Sequence, residues 1–194
     1  MKDLKMYKTQ KTQMKKIISV AVLAYAAGLC IGIAAMVKQL IDWAPLAAFS
    51  FSIGLLIILN KKYMLFTGKV AETPFYPDKL AVMLLFNVLG ARTVGAFFGV
   101  SAFVLNVPIW RTLVLAALCG LLVYVAVSSS SALITIAAVT AFVLLGCKHC
   151  IAEAALLPLN DIAAWAYILL VAFGNSAGAW LGRGFDELRK KVLE

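Results

Sequence analysis

The chain has 194 residues, of which 63% are hydrophobic and only 14% charged, with a net charge of +9. A soluble domain carries about 25% charged residues, so the composition excludes a soluble enzyme or binding module and points to an integral membrane protein. The positive balance does not imply a nucleic-acid partner, because its placement follows the spans.

Along the chain, residues 1–16 form a basic N-terminal segment with lysines at 2, 5, 8, 11, 15 and 16. The apolar run after it lacks a small-x-small cleavage site, which argues against a cleaved signal peptide. Apolar stretches then run over residues 17–37, 45–59, 80–105, 109–127, 132–147 and 162–182. A spanning helix needs about 20 residues, so the second and fifth are short. The second leads into Asn60-Lys61-Lys62-Tyr63-Met64-Leu65-Phe66-Thr67-Gly68-Lys69, and the fifth into Lys148-His149-Cys150 and on to Leu157-Pro158. Both read as broken helices, and broken spans in corresponding halves point to a transport site.

Six crossings place residues 1–16, Lys61 to Lys79 and Arg183 to Lys191 on one side, with fourteen of the eighteen basic residues. The positive-inside rule makes that side cytoplasmic for both termini. The expected layout is a pore domain over 17–183 and a cytoplasmic tail over 184–194, in a cell inner or plasma membrane. Gly95-Ala96-Phe97-Phe98-Gly99 and Gly178-Ala179-Trp180-Leu181-Gly182 share a pattern 83 positions apart. The same offset carries Leu65-Phe66-Thr67-Gly68 onto Lys148-His149-Cys150-Ile151. Three helices repeated in this way must be inverted, so the expected fold is all-α, with six transmembrane helices as a 3+3 inverted repeat. Glycines at helical spacings let such helices approach closely.

His149 is the chain's single histidine and lies in an apolar run. Ionisable groups at membrane depth cost roughly 2.5–3.5 kcal/mol each on insertion scales and face a cavity or partner. An imidazole titrates near neutrality when unperturbed, so it can donate a hydrogen bond or a proton. Protonating an entering anion would let a neutral acid cross apolar surroundings without the cost of carrying a charge. The plainer alternative is a core histidine satisfied by a helix carbonyl. Lys148 lies about 100° around a helix from His149; it either lures anions in a vestibule or, the favoured reading, pairs with Glu153. Arg92, inside the third span, needs a partner or a cavity, and Arg111 can snorkel to the interface. Cys30, Cys119, Cys147 and Cys150 lie in apolar segments, so no disulfide framework is expected. Cys147-x-x-Cys150 leaves a redox or metal site open, though one such pair is a weak signal.

Four motifs in order, Leu65-Phe66-Thr67-Gly68, Asn87-Val88-Leu89-Gly90-Ala91, His149-Cys150-Ile151-Ala152-Glu153 and Gly174-Asn175-Ser176-Ala177-Gly178, resemble those of the formate/nitrite transporter family over residues 17–185. The resemblance implies an aquaporin-like six-helix protomer, a pore in each subunit of a homopentamer, and no enzyme activity or cofactor. It implies small monovalent weak-acid anions as substrates: formate, nitrite or hydrosulfide. His149 would face the pore, Leu65 and Phe66 would form a constriction, Thr67 would supply a hydroxyl, and Asn175 would belong to the pathway. Two positions depart from the family's pattern. Lys69 stands where Asn is common, and Lys148 where the residue is commonly not basic. Competing readings are a pore for a neutral solute such as water or ammonia, and a membrane redox or metal protein using Cys147, His149 and Cys150.

Overall fold

The computed structural model describes residues 2–100 and 107–194, with side chains described from residue 13 onward. Eight helices are present among the described residues: α1 Lys2–Gln39, α2 Ala44–Lys61, α3 Phe66–Lys69, α4 Pro77–Phe97, α5 Ile109–Ser128, α6 Ala132–Leu144, α7 Cys150–Leu156 and α8 Ile162–Leu193. Prolines open α2 and α4 in the first turn, where a missing N–H costs nothing. Asp161 opens α8, its carboxylate accepting from the Ala163 N–H at 2.8 Å.

Helices α1 (over Gln13–Gln39), α2, α4, α5 and α8 are long and apolar enough to cross a membrane; α6 is shorter. The exposure pattern agrees with a bilayer as solvent. Ile53, Ile57, Leu118, Leu169 and Phe173 are exposed, whereas Ser52, Thr67, Asn87, His149 and Asn175 are buried. Polar side chains turned inward and apolar ones outward is the arrangement hydrocarbon requires. The chain is an all-α, multi-pass membrane protein.

Three expected boundaries move. The third apolar stretch was expected to reach residue 105, but α4 stops at Phe97, ahead of Gly99 at φ +69°; residues 101–106 lie outside the described set. The fifth ends at Leu144 rather than 147, because Gly146 takes φ +68° and turns the chain. The sixth runs past 182 to Leu193. Helices α1 and α8 are continuous through residues 16 and 183.

Helix α1 packs chiefly on α4, α5 on α8, and α2 on α6. The short pieces cross over: α3 packs on α5 and α8, and α7 on α4 and α1. Contact is backbone to backbone where glycines face. A Cβ on Gly28 would collide with the Asn87 backbone, and one on Gly120 with the Asn175 backbone. A Cβ on Gly90 would meet the Tyr25 carbonyl, and one on Gly178 the Ala117 carbonyl. Two helix pairs are therefore held at glycine distance, the geometry of small-residue membrane packing.

Gly120→Ala should force α5 away from α8 and lower stability by about 1–3 kcal/mol, the usual cost of overpacking. Gly184→Ala, with nothing within 4 Å of the added carbon, should leave it unchanged. Thermal unfolding in detergent compares the two, and equal melting temperatures would contradict the close approach.

Candidate functional site

The two helix breaks are built by one design used twice. At the end of α2, Lys62 adopts φ 55° and the Tyr63 N–H returns to the Ile58 carbonyl at 3.0 Å. At the end of α6, Gly146 turns the chain and the Cys147 N–H returns to the Phe142 carbonyl at 3.0 Å. Residues after each turn are extended and leave backbone groups without a helical partner. Two buried asparagines satisfy them. Asn87 Oδ1 accepts from the Phe66 N–H at 2.7 Å, while its Nδ2 donates to the Ala24 and Met64 carbonyls at 2.6 and 2.9 Å. Asn175 Oδ1 accepts from the Cys150 N–H at 3.0 Å, while its Nδ2 donates to the Ala116 and Lys148 carbonyls at 2.8 and 2.7 Å. Each amide uses both N–H donors and its oxygen.

This bonding corrects the expected offset of 83. Phe66 and Cys150, which donate to equivalent oxygens, are 84 positions apart, and the asparagines are 88 apart. Gly28 and Gly120, which face them, are 92 apart. The offset drifts because the connecting segments differ in length. The partner of His149 is therefore Leu65, each residue preceding the first turn of its short helix, and not Phe66. Gly178 likewise takes the place of Gly90 rather than Gly95.

At the meeting of the two breaks, Thr67 Oγ1 lies 3.0 Å from His149 Nε2, both residues buried. The other ring nitrogen fixes the roles. Nδ1 accepts from the Ala152 N–H at 3.3 Å, capping α7, so a neutral ring carries its hydrogen on Nε2 and donates to Thr67. The threonine keeps its own O–H to offer to another acceptor. Phe142 stacks on the imidazole, centroids 6.1 Å apart and planes 14° off parallel, and Phe51 meets Phe142 edge-on at 5.7 Å.

The pair divides two cavities. One of about 280 Å³ is walled by Thr67, Ala71, Tyr124, Arg183 and the end of α8. The other, of about 60 Å³, is walled by His149, Phe51, Phe142, Cys147, Glu153 and Lys38. Thr67 faces the first and His149 the second, so their hydrogen bond lies in the partition.

The remaining candidates scatter. Lys148 pairs with Glu153, Nζ to Oε1 at 3.3 Å, both side chains largely covered; the Glu153 carboxylate also suits the first turn of α7. Lys69 pairs with Glu72 at 2.5 Å at an exposed position, away from His149. Leu65 and Phe66 are buried but line neither cavity. Asn175, expected in the pathway, spends every polar atom on backbone and is a positioning residue. Arg92 donates to the Val100 and Ala155 carbonyls at 2.5 and 3.3 Å and lines neither cavity, so it ties α4 to the end of α7. Arg111 is exposed. The four cysteines are free thiols, and among the described residues no three His, Cys, Asp or Glu side chains gather as a metal site.

No family model and no curated protein matches the sequence. Solved structures do match. The chain resembles a pentameric formate channel with formate bound, with a TM-score of 0.75 at 18% identity over 92% of this chain and 98% of that one. It also resembles an FNT family ion channel, with a TM-score of 0.68 at 18% identity over 93% and 92% of the two chains. The chain has the formate/nitrite transporter fold. Within that fold, sequence reasoning missed Asn87 as a builder of the site and Phe51 and Phe142 as its walls. A signal for Asn87 was present, since each buried asparagine is followed three residues later by glycine, as Asn87-Val88-Leu89-Gly90 and Asn175-Ser176-Ala177-Gly178. Nothing local distinguishes Phe51 or Phe142 from other apolar positions.

Asn175→Asp should be strongly destabilising. A carboxylate cannot donate to the Ala116 and Lys148 carbonyls, and each buried group left unpaired costs about 1–3 kcal/mol. A melting temperature within a degree of the parent protein, measured in detergent, would show that the amide does not hold the break.

Proposed function

We propose that the chain conducts a small monovalent weak-acid anion, of the formate, nitrite or hydrosulfide class, through a pore in each protomer of a homopentamer. The observation that carries this reading is the buried Thr67–His149 hydrogen bond in the partition between two cavities. A histidine held only for structure needs one nitrogen. Here Nδ1 caps α7, and Nε2 is spent on a hydroxyl that can turn away.

An anion arriving from either cavity displaces one partner and takes its place, accepting from the imidazole N–H and the threonine O–H together. If the ring holds a second proton it passes this to the anion, and the neutral acid moves past Phe142 and Phe51, the apolar walls of the small cavity. Carrying the charge past those walls would cost several kcal/mol in an apolar medium. Beside the small cavity, Lys38 and Lys148 outnumber Glu153 and favour entry of an anion.

The halves α1–α4 and α5–α8 form an inverted 3+3 repeat in this reading, with α2–α3 and α6–α7 as the broken second and fifth of six membrane helices. The paired asparagine bonds and glycine contacts support it. In this reading both termini, the 1–16 and 184–194 tails and the large cavity are on the cytoplasmic side of the cell membrane, which the basic segments support through the positive-inside rule.

Purified protein in liposomes should pass formate, nitrite or hydrosulfide at a rate that rises with the imposed anion gradient. His149→Ala should keep the oligomer but lower the flux about ten- to a hundredfold, the equivalent of one hydrogen bond to a charged group, and flatten its pH dependence. Water or ammonia flux without anion flux would replace this reading with a neutral-solute pore. Unchanged flux and pH profile in His149→Ala would remove the histidine from the mechanism.

A further inference from the structure

The short helix that carries Thr67 is only four residues long, Phe66–Lys69. It has no stability of its own, since isolated helices shorter than about 12–15 residues are marginal even in good sequences. Asn87 holds its start through the Phe66 N–H. Its far side is held from a different element, the end of α8.

Arg183 is the centre of that hold. Its Nη1 donates to the Ala71 carbonyl at 2.6 Å and its Nη2 to Thr73 Oγ1 at 2.8 Å, while Nε is oriented by Glu187 Oε1 at 2.7 Å. The guanidinium lies over the Trp180 ring, 5.5 Å from its centroid, and Trp180 in turn packs on Phe75 at 6.0 Å. Tyr124 donates to Asp186 at 2.9 Å, tying the same turn of α8 to α5. The segment after Thr67 is therefore gripped at Ala71, Thr73 and Phe75 by two neighbouring residues of α8. The side chain of Arg183 is only 21% exposed, and its bond to the Ala71 carbonyl is partly buried, while those to Thr73 and Glu187 lie at exposed positions. A planar fork with donors on two nitrogens suits a backbone carbonyl and a hydroxyl two residues apart on one segment, which a lysine cannot match.

We propose that Arg183 is a positioning residue that keeps the α3 segment closed on His149, so that the end of α8 fastens the partition between the two cavities. Releasing the fork lets residues 67–73 move outward, breaks the Thr67–His149 bond and joins the cavities. The consequence for flux rests on the channel reading above; the consequence for access does not.

Cys147 reports that access, because it lines the small cavity beside His149, across the partition from Arg183. A membrane-impermeant anionic methanethiosulfonate is applied to the full-length protein in everted and in right-side-out membrane vesicles, with Cys147→Ser as the blank. From the face bearing Arg183, Cys147 of the parent protein should label slowly. In Arg183→Ala it should label about tenfold faster, as expected for the loss of hydrogen bonds holding a closed state, with Arg183→Lys intermediate. From the opposite face the rate should be the same in all three. Thr73→Val, which removes one acceptor at an exposed position, should show a smaller rise and gives the answer if Arg183→Ala fails to assemble. An unchanged rate from the Arg183 face in an assembled variant overturns the proposal. Faster labelling in a protein that conducts no anion supports the fastening while removing the channel reading, and intact anion flux with unchanged labelling does the reverse.

Discussion

Everything at the centre of this protein depends on how backbone that leaves a helix inside a bilayer is satisfied. Water is absent there, and each unpaired N–H or C=O costs several kcal/mol. Asn87 and Asn175 meet that constraint with one side chain each, an oxygen for the first N–H of the short helix and two N–H groups for one carbonyl in the break and one on a neighbouring long helix. Because one of those carbonyls belongs to the neighbouring long helix, each asparagine also sets how α1 meets α4 and how α5 meets α8. Gly28 and Gly120 follow from the same geometry, since the backbone of the asparagine lies where their side chains would be.

The breaks have a further consequence. Two extended segments replace helix where they face each other, and they bring Thr67 and His149 to 3.0 Å without either residue being exposed. On continuous helices neither side chain would have reached a partner across the bundle so directly. His149 serves both purposes at once: Nδ1 closes the first turn of α7 and so determines which nitrogen holds the hydrogen that faces Thr67. One nitrogen therefore has a structural purpose, met by an N–H and not by the helix carbonyl of the plainer reading, and the other faces Thr67.

Much of this was legible in the sequence, and the limits have physical reasons. The two breaks could be read because short apolar runs followed by polar residues cannot be completed helices, and His149 because a lone ionisable group in an apolar run demands a setting. Lys148 and Glu153 could be paired from charge alone, and they do pair. The repeat register failed by one residue at the breaks, because a small-aromatic-small pattern recurs throughout membrane helices and carries little information. The asparagine-to-glycine spacing was the better guide, since only those positions combine an unavoidable hydrogen-bond role with an unavoidable close approach. Arg92 is read as needing a partner or a cavity and Asn175 is placed in the pathway by resemblance, whereas backbone carbonyls and N–H groups absorb the bonds of both. Polarity at membrane depth identifies a demand for partners, and only the fold shows whether those partners are solute or backbone.

The role of the long α8 illustrates the point from the other direction. Residues 184–194 read as a charged tail, yet Asp186 accepts from Tyr124, and Arg183 just before it donates inward to Ala71 and Thr73. Charged residues near the end of α8 therefore line the large cavity. A four-residue helix with one asparagine at its start needs an anchor at its other end, and α8, a helix of 32 residues packed on α5, provides one. Arg183 thus belongs both to the basic stretch that ends the chain and to the bonds that hold the segment bearing Thr67.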